Sequence, residues 1–233
     1  PEYKSGRDLQ RITNWDAFDD KDDEDDAKVD QMVRIIQYLK TLPVKTLSIP
    51  KVEADDVIAY LSKSVINHPK DKSFIVSSDK DFLQLVSNNV IVYRPMEKEY
   101  YTPQTVINKY KISPHNFILH KTLLGDNSDK IKGVKGLGEK GLLKKFPELL
   151  ENDMCWDDIL DIYENKMSDH AVYARIIHSQ SDLEKNYKIM DLSNPMLSKE
   201  DKEWLDEIVS SKELSYLPDQ FVSMYNEDQI GGL

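Results

Sequence analysis

The stretch Ser73-Phe-Ile-Val-Ser-Ser-Asp-Lys-Asp-Phe-Leu-Gln-Leu85 decides the fold. Its first half, residues 73–78, is β-branched and aromatic and reads as a buried strand of a parallel sheet. Its second half puts Asp79 and Asp81 just past that strand, at its carboxyl end. In open α/β sheets ligands bind in the crevice outside the carboxyl ends of the strands, so acids at this point are candidates for chemistry.

Two more acidic clusters follow the same logic. Lys45–Ile49 reads as another short strand, and Glu53, Asp55 and Asp56 open a segment whose apolar residues Val57, Ile58, Leu61, Val65 and Ile66 keep helical spacing. Asp126 and Asp129 are three apart, so on a helical turn they would share a face, although ordinary turns use the same spacing. Hard cations such as Mg²⁺ take oxygen ligands, usually a few carboxylates with waters and phosphate oxygens. Two ions roughly 3.5–4 Å apart stabilise both the attacking and the leaving oxygen of a phosphodiester displacement. The seven acids in these clusters are enough for two ions. The plainer account is chance proximity on solvated faces in a chain with 42 acids, helped at Glu53–Asp56 by the dipole of a helix start.

Downstream, Gly133, Gly136, Gly138 and Gly141 are half of the chain's 8 glycines, packed between two segments of helical pattern. Such a concentration marks a tight hairpin, because glycine accepts positive φ and close backbone approach, and amides at the next helix start point at anions. Lys130, Lys132, Lys135, Lys140, Lys144 and Lys145 surround it against Asp129 and Glu139 alone. The segment is therefore locally cationic and suited to following a duplex backbone without reading sequence.

The three stretches VEADDVIA (52–59), IVSSDKDFLQL (75–85) and LLGDNSDKIKGVKGLGEKG (123–141) together resemble the structure-specific 5′ nucleases, or flap endonucleases. The likeness is to phage flap endonucleases and to the 5′-nuclease domain of bacterial DNA polymerase I, and it runs from about Tyr3 to about Phe146. It implies an α/β fold, a PIN-like core with a mostly parallel central sheet flanked by helices, followed by an α-helical subdomain with a helix-hairpin-helix-type DNA-binding motif. It implies that Glu53, Asp55, Asp79 and Asp81 hold one metal and Asp126 and Asp129 a second, with Asp56 a ligand or the partner of one. The ions would be Mg²⁺, with Mn²⁺ able to substitute, and the hairpin carbonyls of family members often bind K⁺. Tyr3-Lys4-Ser5-Gly6-Arg7 matches a family pattern at the base of a helical arch, so Lys4 and Arg7 inherit a role beside the cut phosphate. The DNA grip falls to Lys130, Lys132, Gly133, Lys135, Gly136, Gly138, Lys140, Gly141 and Lys144.

This sequence departs from the family in two places. The acidic run Asp19–Asp26 lies where the family's arch presents basic and apolar residues, and its self-repulsion predicts a solvated, disordered loop over residues 16–26. Family members also begin with two Asp-bearing strands ahead of the position of Tyr3, so those strands are expected in a longer natural protein.

Composition bounds the rest. An apolar content of 39% without a long apolar stretch predicts a soluble globular chain with no membrane partner. A single cysteine, Cys155, and no leader sequence predict a reducing cytoplasm, bacterial or phage-infected. A formal charge of −11 argues against an indiscriminate nucleic-acid coat but not against a metal-dependent nuclease, whose ions offset local charge. The expected organisation is a catalytic α/β core over residues 1–112, with an arch-like acidic segment near 8–28, then a helical subdomain over 113–233 with its hairpin at 130–145. The functional expectation is a monomeric 5′-3′ exonuclease or flap endonuclease acting on flapped, gapped or broken duplex DNA in replication and repair, beside partners such as a clamp or single-strand binding protein. Two other readings stay open: an inactive DNA-junction binding module lacking amino-terminal metal ligands, and a related ribonuclease, against which the glycine cluster speaks.

Overall fold

The structure, a computed structural model, describes residues 17, 18, 20–126, 129–166, 171–211 and 213–231. In chain order come α1 (Lys21–Thr41), α2 (Ala54–Ser64), β1 (Ser73–Val76), β2 (Val90–Arg94), β3 (Glu99–Tyr101), α3 (Pro103–Tyr110) and α4 (Phe117–Leu124). The two-residue strands β4 (Gly125–Asp126) and β5 (Ile131–Lys132) follow, then α5 (Glu139–Lys145), α6 (Trp156–Lys166), α7 (Ala171–His178), α8 (Gln180–Met190), α9 (Lys199–Ser210) and α10 (Pro218–Glu227). The residues gather into two compact units, 51–206, and 17–50 with 207–231.

In the larger unit β1 pairs parallel with β2, Ser73 beside Val90 through Val76 beside Tyr93, and β2 pairs antiparallel with β3. The α/β class holds, with one parallel and one antiparallel pairing in the main sheet. β1 is not the doubly buried strand that its composition predicts. Ile75 is buried, but Phe74 and Val76 are 57% and 66% exposed. β1 is an edge strand of this sheet, and side chains alternate across a strand, so only every second residue reaches the core.

Thr102 caps α3 by accepting a hydrogen bond from the Thr105 amide, with Pro103 at the first helical position, as the Thr-Pro pair predicts. α4 is buried nearly all round: Phe117, Ile118, Leu119, Lys121, Thr122 and Leu123 are all inaccessible. Its apolar residues join Val92 and Leu83 on the sheet side and Leu142, Phe146 and Ile176 on the helical side in one continuous core. Residues on both sides of position 112 therefore share that core.

Two local expectations are overturned in the smaller unit. Lys45–Ile49 forms no regular element and, among the described residues, pairs with no strand. Its backbone has no ladder partner, and Lys45 Nζ instead donates to the carbonyls of Ile208, Val209 and Ser211 at the carboxyl end of α9, where a cation suits the helix dipole. The acidic run is not a loop over 21–26 but the start of α1. Asp20 accepts from the Asp23 amide at 2.9 Å, and Lys21 reaches Glu24 at 3.0 Å and Asp25 at 2.7 Å. Acids in a first turn complement the positive end of the helix, which outweighs their mutual repulsion. α1 then meets α10 through Arg34, bound to Asp228 at 2.7 and 2.9 Å, and through Tyr38 against Phe221 at 5.3 Å. Val29, Met32 and Val33 of its apolar stripe are exposed. Among the described residues no helix is long and apolar enough to cross a membrane.

Between α4 and α5 the backbone doubles back on itself. β4 pairs antiparallel with β5, Gly125 opposite Lys132, and Gly133 lies against the chain at 124–125. A Cβ on Gly133 would meet the Leu124 carbonyl carbon at 2.2 Å and the Gly125 nitrogen at 2.3 Å. Gly125 has φ +82° and would meet the Gly133 nitrogen at 2.4 Å. Gly138, by contrast, faces open space. Gly133→Ala should therefore destabilise the protein by about 3 kcal/mol or more, at or beyond the upper end of ordinary overpacking. Gly138→Ala meets no such clash and should cost only about 1 kcal/mol, the loss of a glycine N-cap to alanine. Urea denaturation of the two variants reads the contrast directly.

Candidate metal centre and nucleic-acid interface

Asp81 opens the 3₁₀ turn that follows β1, and its amide donates to Asp79 Oδ1 at 2.9 Å, while the Asp79 amide donates to Ser77 Oγ at 3.1 Å. These local bonds of Asp and Ser side chains fix the turn at the strand's carboxyl end. Asp126 sits on β4 and Asp129 in the turn before β5. The crossing at Gly125 and Gly133 holds that turn, and one carboxylate oxygen from each of Asp81, Asp126 and Asp129 lies within 4.8 Å of the others.

Lys121 enters the same cluster from α4. Its ammonium lies 2.7 Å from Asp126 Oδ2 and forms a close ion pair with Asp81 Oδ1, with side-chain exposures of 9% for Lys121, 15% for Asp81 and 16% for Asp126. At such separations two carboxylates repel by about 3–4 kcal/mol with an effective dielectric near 20. Lys121 sets one ammonium against two of the three carboxylates. An all-oxygen donor set of three acids fits a divalent cation.

The other predicted ligands are outside that close group. Glu53 precedes α2 as its N-cap residue without a capping side-chain bond and is exposed, and Asp55 and Asp56 lie in its first turn. Asp56 Oδ1 accepts from the Met196 amide at 2.8 Å. Asp79 is exposed beside Asp81. Among the described residues the close group unites Asp81 with Asp126 and Asp129, across the two sets that the resemblance separates. Lys4 and Arg7 lie outside the described residues. The residue that sequence reading missed is Lys121. Its signal is a lone lysine inside the apolar run Phe117-Ile-Leu-His-Lys-Thr-Leu-Leu124, since a buried lysine needs a paired acid.

The neighbouring His120 is half-buried, stacked on Phe117 at 5.6 Å and 4.0 Å from Glu139. Burial pushes its pKa below the ordinary value, outweighing the pull of Glu139.

The hairpin presents Lys130, Lys132, Lys135, Lys140 and Lys144 to solvent. Its tip turns at Gly136, with φ +77°, where the Leu137 amide donates to the Val134 carbonyl at 3.0 Å. Gly138 leads into α5, and Gly141 packs on Leu137 at the 3.4 Å contact that a Cβ would make. The hairpin's carbonyls are held from behind: Asn186 Nδ2 donates to Lys132 at 3.1 Å, Tyr173 donates to Lys145 at 3.0 Å, and Arg175 Nη1 donates to Lys135. Of the predicted glycines, Gly133 belongs to the backbone crossing and Gly136 to the turn itself.

The fold and the carboxylate cluster thus define an α/β protein of the kind that binds divalent cations beside a basic helical hairpin. The family described as the N-terminal, resolvase-like domain of 5′-3′ exonucleases matches residues 1–111. A 5′-3′ exonuclease of Aquifex aeolicus is 36% identical over 177 residues, covering 73% of this chain and 57% of that protein. The thermostable DNA polymerase I of Thermus thermophilus is 37% identical over 118 residues, 51% of this chain and 14% of that protein. Among solved structures, a complex of the bacteriophage T5 D15 flap endonuclease with DNA and metal ions superposes with a TM-score of 0.69 at 20% identity, covering 97% of this chain and 78% of the other. The chain spans little more than half the length of the Aquifex relative. Over the matched residues it is similar to 5′ nucleases.

Two measurements test the centre. Lys121→Met leaves Asp81 and Asp126 without their ammonium and should cost about 3–5 kcal/mol in EDTA, the range for removing one partner of a buried pair. Added MgCl₂ should narrow that gap, because a ligand of the folded state stabilises it. For His120, the unfolded chain with its ordinary pKa of 6.5 takes up a proton before the folded one does. Its contribution to stability is therefore whole above that pH and is lost as pH falls toward the lower folded value. His120→Phe should flatten that part of the acid slope of urea stability.

Proposed function

We propose that this chain carries the working parts of a divalent-metal-dependent 5′ nuclease, a 5′-3′ exonuclease and flap endonuclease that hydrolyses DNA phosphodiesters at branched, gapped or broken duplexes. The observation that carries the reading is the convergence of Asp81, Asp126 and Asp129 within 4.8 Å, at the carboxyl end of a parallel strand and one short loop from a basic hairpin.

Asp126 and Asp129, with Asp81 beside them, would hold one ion, and Glu53, Asp55, Asp79 and Asp81 would hold the other. Asp56 supports that second group. Mg²⁺ is the ion of choice, with Mn²⁺ as a substitute, because every donor is a carboxylate. Bound ions supply a water of lowered pKa and stabilise the attacking and leaving oxygens. The chain's own part is to hold the acids against their mutual repulsion through Lys121, and to seat the duplex on the hairpin lysines. Lys4 and Arg7 belong beside the scissile phosphate, where cations stabilise charge developing in the transition state. A K⁺ at the hairpin would rest on carbonyl oxygens, each of which has two lone pairs and keeps one beside a single hydrogen bond. The substrate is double-stranded DNA with a 5′ flap, gap or end. The protein acts as a monomer in a bacterial cytoplasm, beside replication proteins such as a clamp or a single-strand binding protein.

Asp81→Asn and Asp126→Asn should each lower cleavage of a 5′-labelled flap by about a thousandfold or more, the loss of several kcal/mol of metal-borne stabilisation. Binding of the same flap in Ca²⁺ should change little, since the hairpin is intact. Turnover undiminished in both variants would sink the metal assignment. Binding without any Mg²⁺-dependent cutting by the whole natural protein would replace it with the inert junction module.

A further inference from the structure

A pocket of about 540 Å³ opens in the larger unit between the second half of α2 and the segment that leads from α8 into α9. Tyr60, Lys63 and Ser64 line it from α2, Ser193 and Asn194 from the connecting segment, and Lys202 from the start of α9. Residues three and four apart share a helix face, so the α2 residues meet the pocket together. Glu53 precedes α2 and Lys63 is its last residue but one, which at 1.5 Å rise per residue separates them by about 15 Å. The wall opposite α2 is pinned. Gln84 binds the Met190 carbonyl and the Leu192 amide at 3.0 Å each, Asp191 accepts from the Ser193 amide at 2.9 Å and from Asn194 Nδ2 at 2.7 Å, and the Met196 amide donates to Asp56 at 2.8 Å. A site held in this way loses little freedom when a ligand arrives.

The chain has a formal charge of −11, yet among the described residues the charged side chains that line this pocket are two lysines. Neither forms an ion pair among the described residues, whereas Lys21, Lys28, Lys109, Lys121, Lys185 and Lys199 do. Lys202 Nζ stands 5.9 Å from the centre of the Tyr60 ring. Asp206 accepts from the Tyr60 hydroxyl at 2.8 Å but does not line the pocket. A concave site walled by one sign of charge concentrates the opposite sign. Ser64 adds an Oγ that is buried without a hydrogen-bond partner, an unmet bond that an oxygen-rich ligand satisfies.

We propose that this pocket binds a nucleoside 5′-monophosphate, its phosphate held by Lys63 and Lys202 and its sugar and base lying against Tyr60 and the wall at Ser193 and Asn194. The volume is within the roughly 300–1,000 Å³ of small-molecule sites, and an aromatic ring with a few convergent polar groups is their usual make-up. Cutting a strand one residue from its 5′ end releases such a mononucleotide, so under the function proposed above the ligand is the protein's own product. The binding itself does not depend on that reading.

The test is isothermal titration calorimetry of the whole protein, freed of divalent metal by dialysis against EDTA, with deoxyadenosine 5′-monophosphate, inorganic phosphate and deoxyadenosine. The monophosphate should bind with a Kd of about a millimolar or tighter, inorganic phosphate more weakly, and deoxyadenosine not at all. Lys63→Ala and Lys202→Ala should each weaken the monophosphate about tenfold, the loss of one charged hydrogen bond, with unchanged urea midpoints. Lys140→Ala/Lys144→Ala, in the hairpin, should leave its affinity as it was. No saturation by the monophosphate up to about 10 mM overturns the proposal, and so does undiminished affinity in both pocket variants. A loss in the hairpin variant that matches theirs also overturns it, since the phosphate would then sit on the hairpin. Inorganic phosphate bound as tightly as the monophosphate would reduce the pocket to an anion site and overturn the nucleotide. Flap cleavage in Mg²⁺ keeps the two readings apart: binding by a protein that cuts nothing retains the pocket and sinks the nuclease, and cutting without binding does the reverse.

Discussion

Where the chain passes through Gly133, its backbone lies so close to Leu124 and Gly125 that a methyl group would stand 2.2 Å from a carbonyl carbon. No side chain mediates this contact. On one side of it the chain carries Asp126 and Asp129 to Asp81, and on the other it turns through Gly136 into the lysine-bearing helix. α4, packed on nearly every face, anchors the crossing: the Val134 amide donates to the Leu123 carbonyl at 2.8 Å. The acidic centre and the basic hairpin are thus two products of one backbone constraint, and both would lose their geometry if it were relaxed.

A formal charge of −11 obscures how the charge is arranged. Acids converge at Asp81, Asp126 and Asp129, where Lys121 reaches in from α4, while cations gather a few residues downstream. Close to DNA this arrangement matters more than the sum. In the proposed reaction phosphates would be attracted at the hairpin and repelled at the acids until a divalent cation intervenes, which would couple productive seating of the substrate to occupancy of the metal centre.

Much of this was legible in the sequence because the signals were local. The β-branched run before Asp79, the Thr102-Pro103 cap of α3 and the glycines between α4 and α5 each act within a few residues, and each appears where expected. What was not legible depended on partners distant in sequence. Lys121 looks like a flaw in an apolar helix until Asp81 and Asp126 are brought to it. Lys45–Ile49 has the composition of a strand but, among the described residues, no neighbour to pair with. The acidic run at 19–26 was misread for another reason: counting charges predicts repulsion, whereas helix-end geometry and Lys21 turn most of the same acids into a favourable start for α1.

The crossing at Gly133 also sets a length. From Asp126 to Gly136 the path is a short span of chain, pinned at both strands of a two-residue ladder and at the glycine contact. Away from Gly125 and Gly133, side-chain substitutions can weaken the grip or the metal centre while the crossing that fixes one relative to the other stays in place. A residue inserted between Ile131 and Gly133 would have to break the ladder or the crossing to be accommodated. The span therefore acts as a fixed ruler between the gripped phosphates and the acids, so that in the proposed reaction the position of the cut, counted in nucleotides from the held duplex, is a property of the backbone.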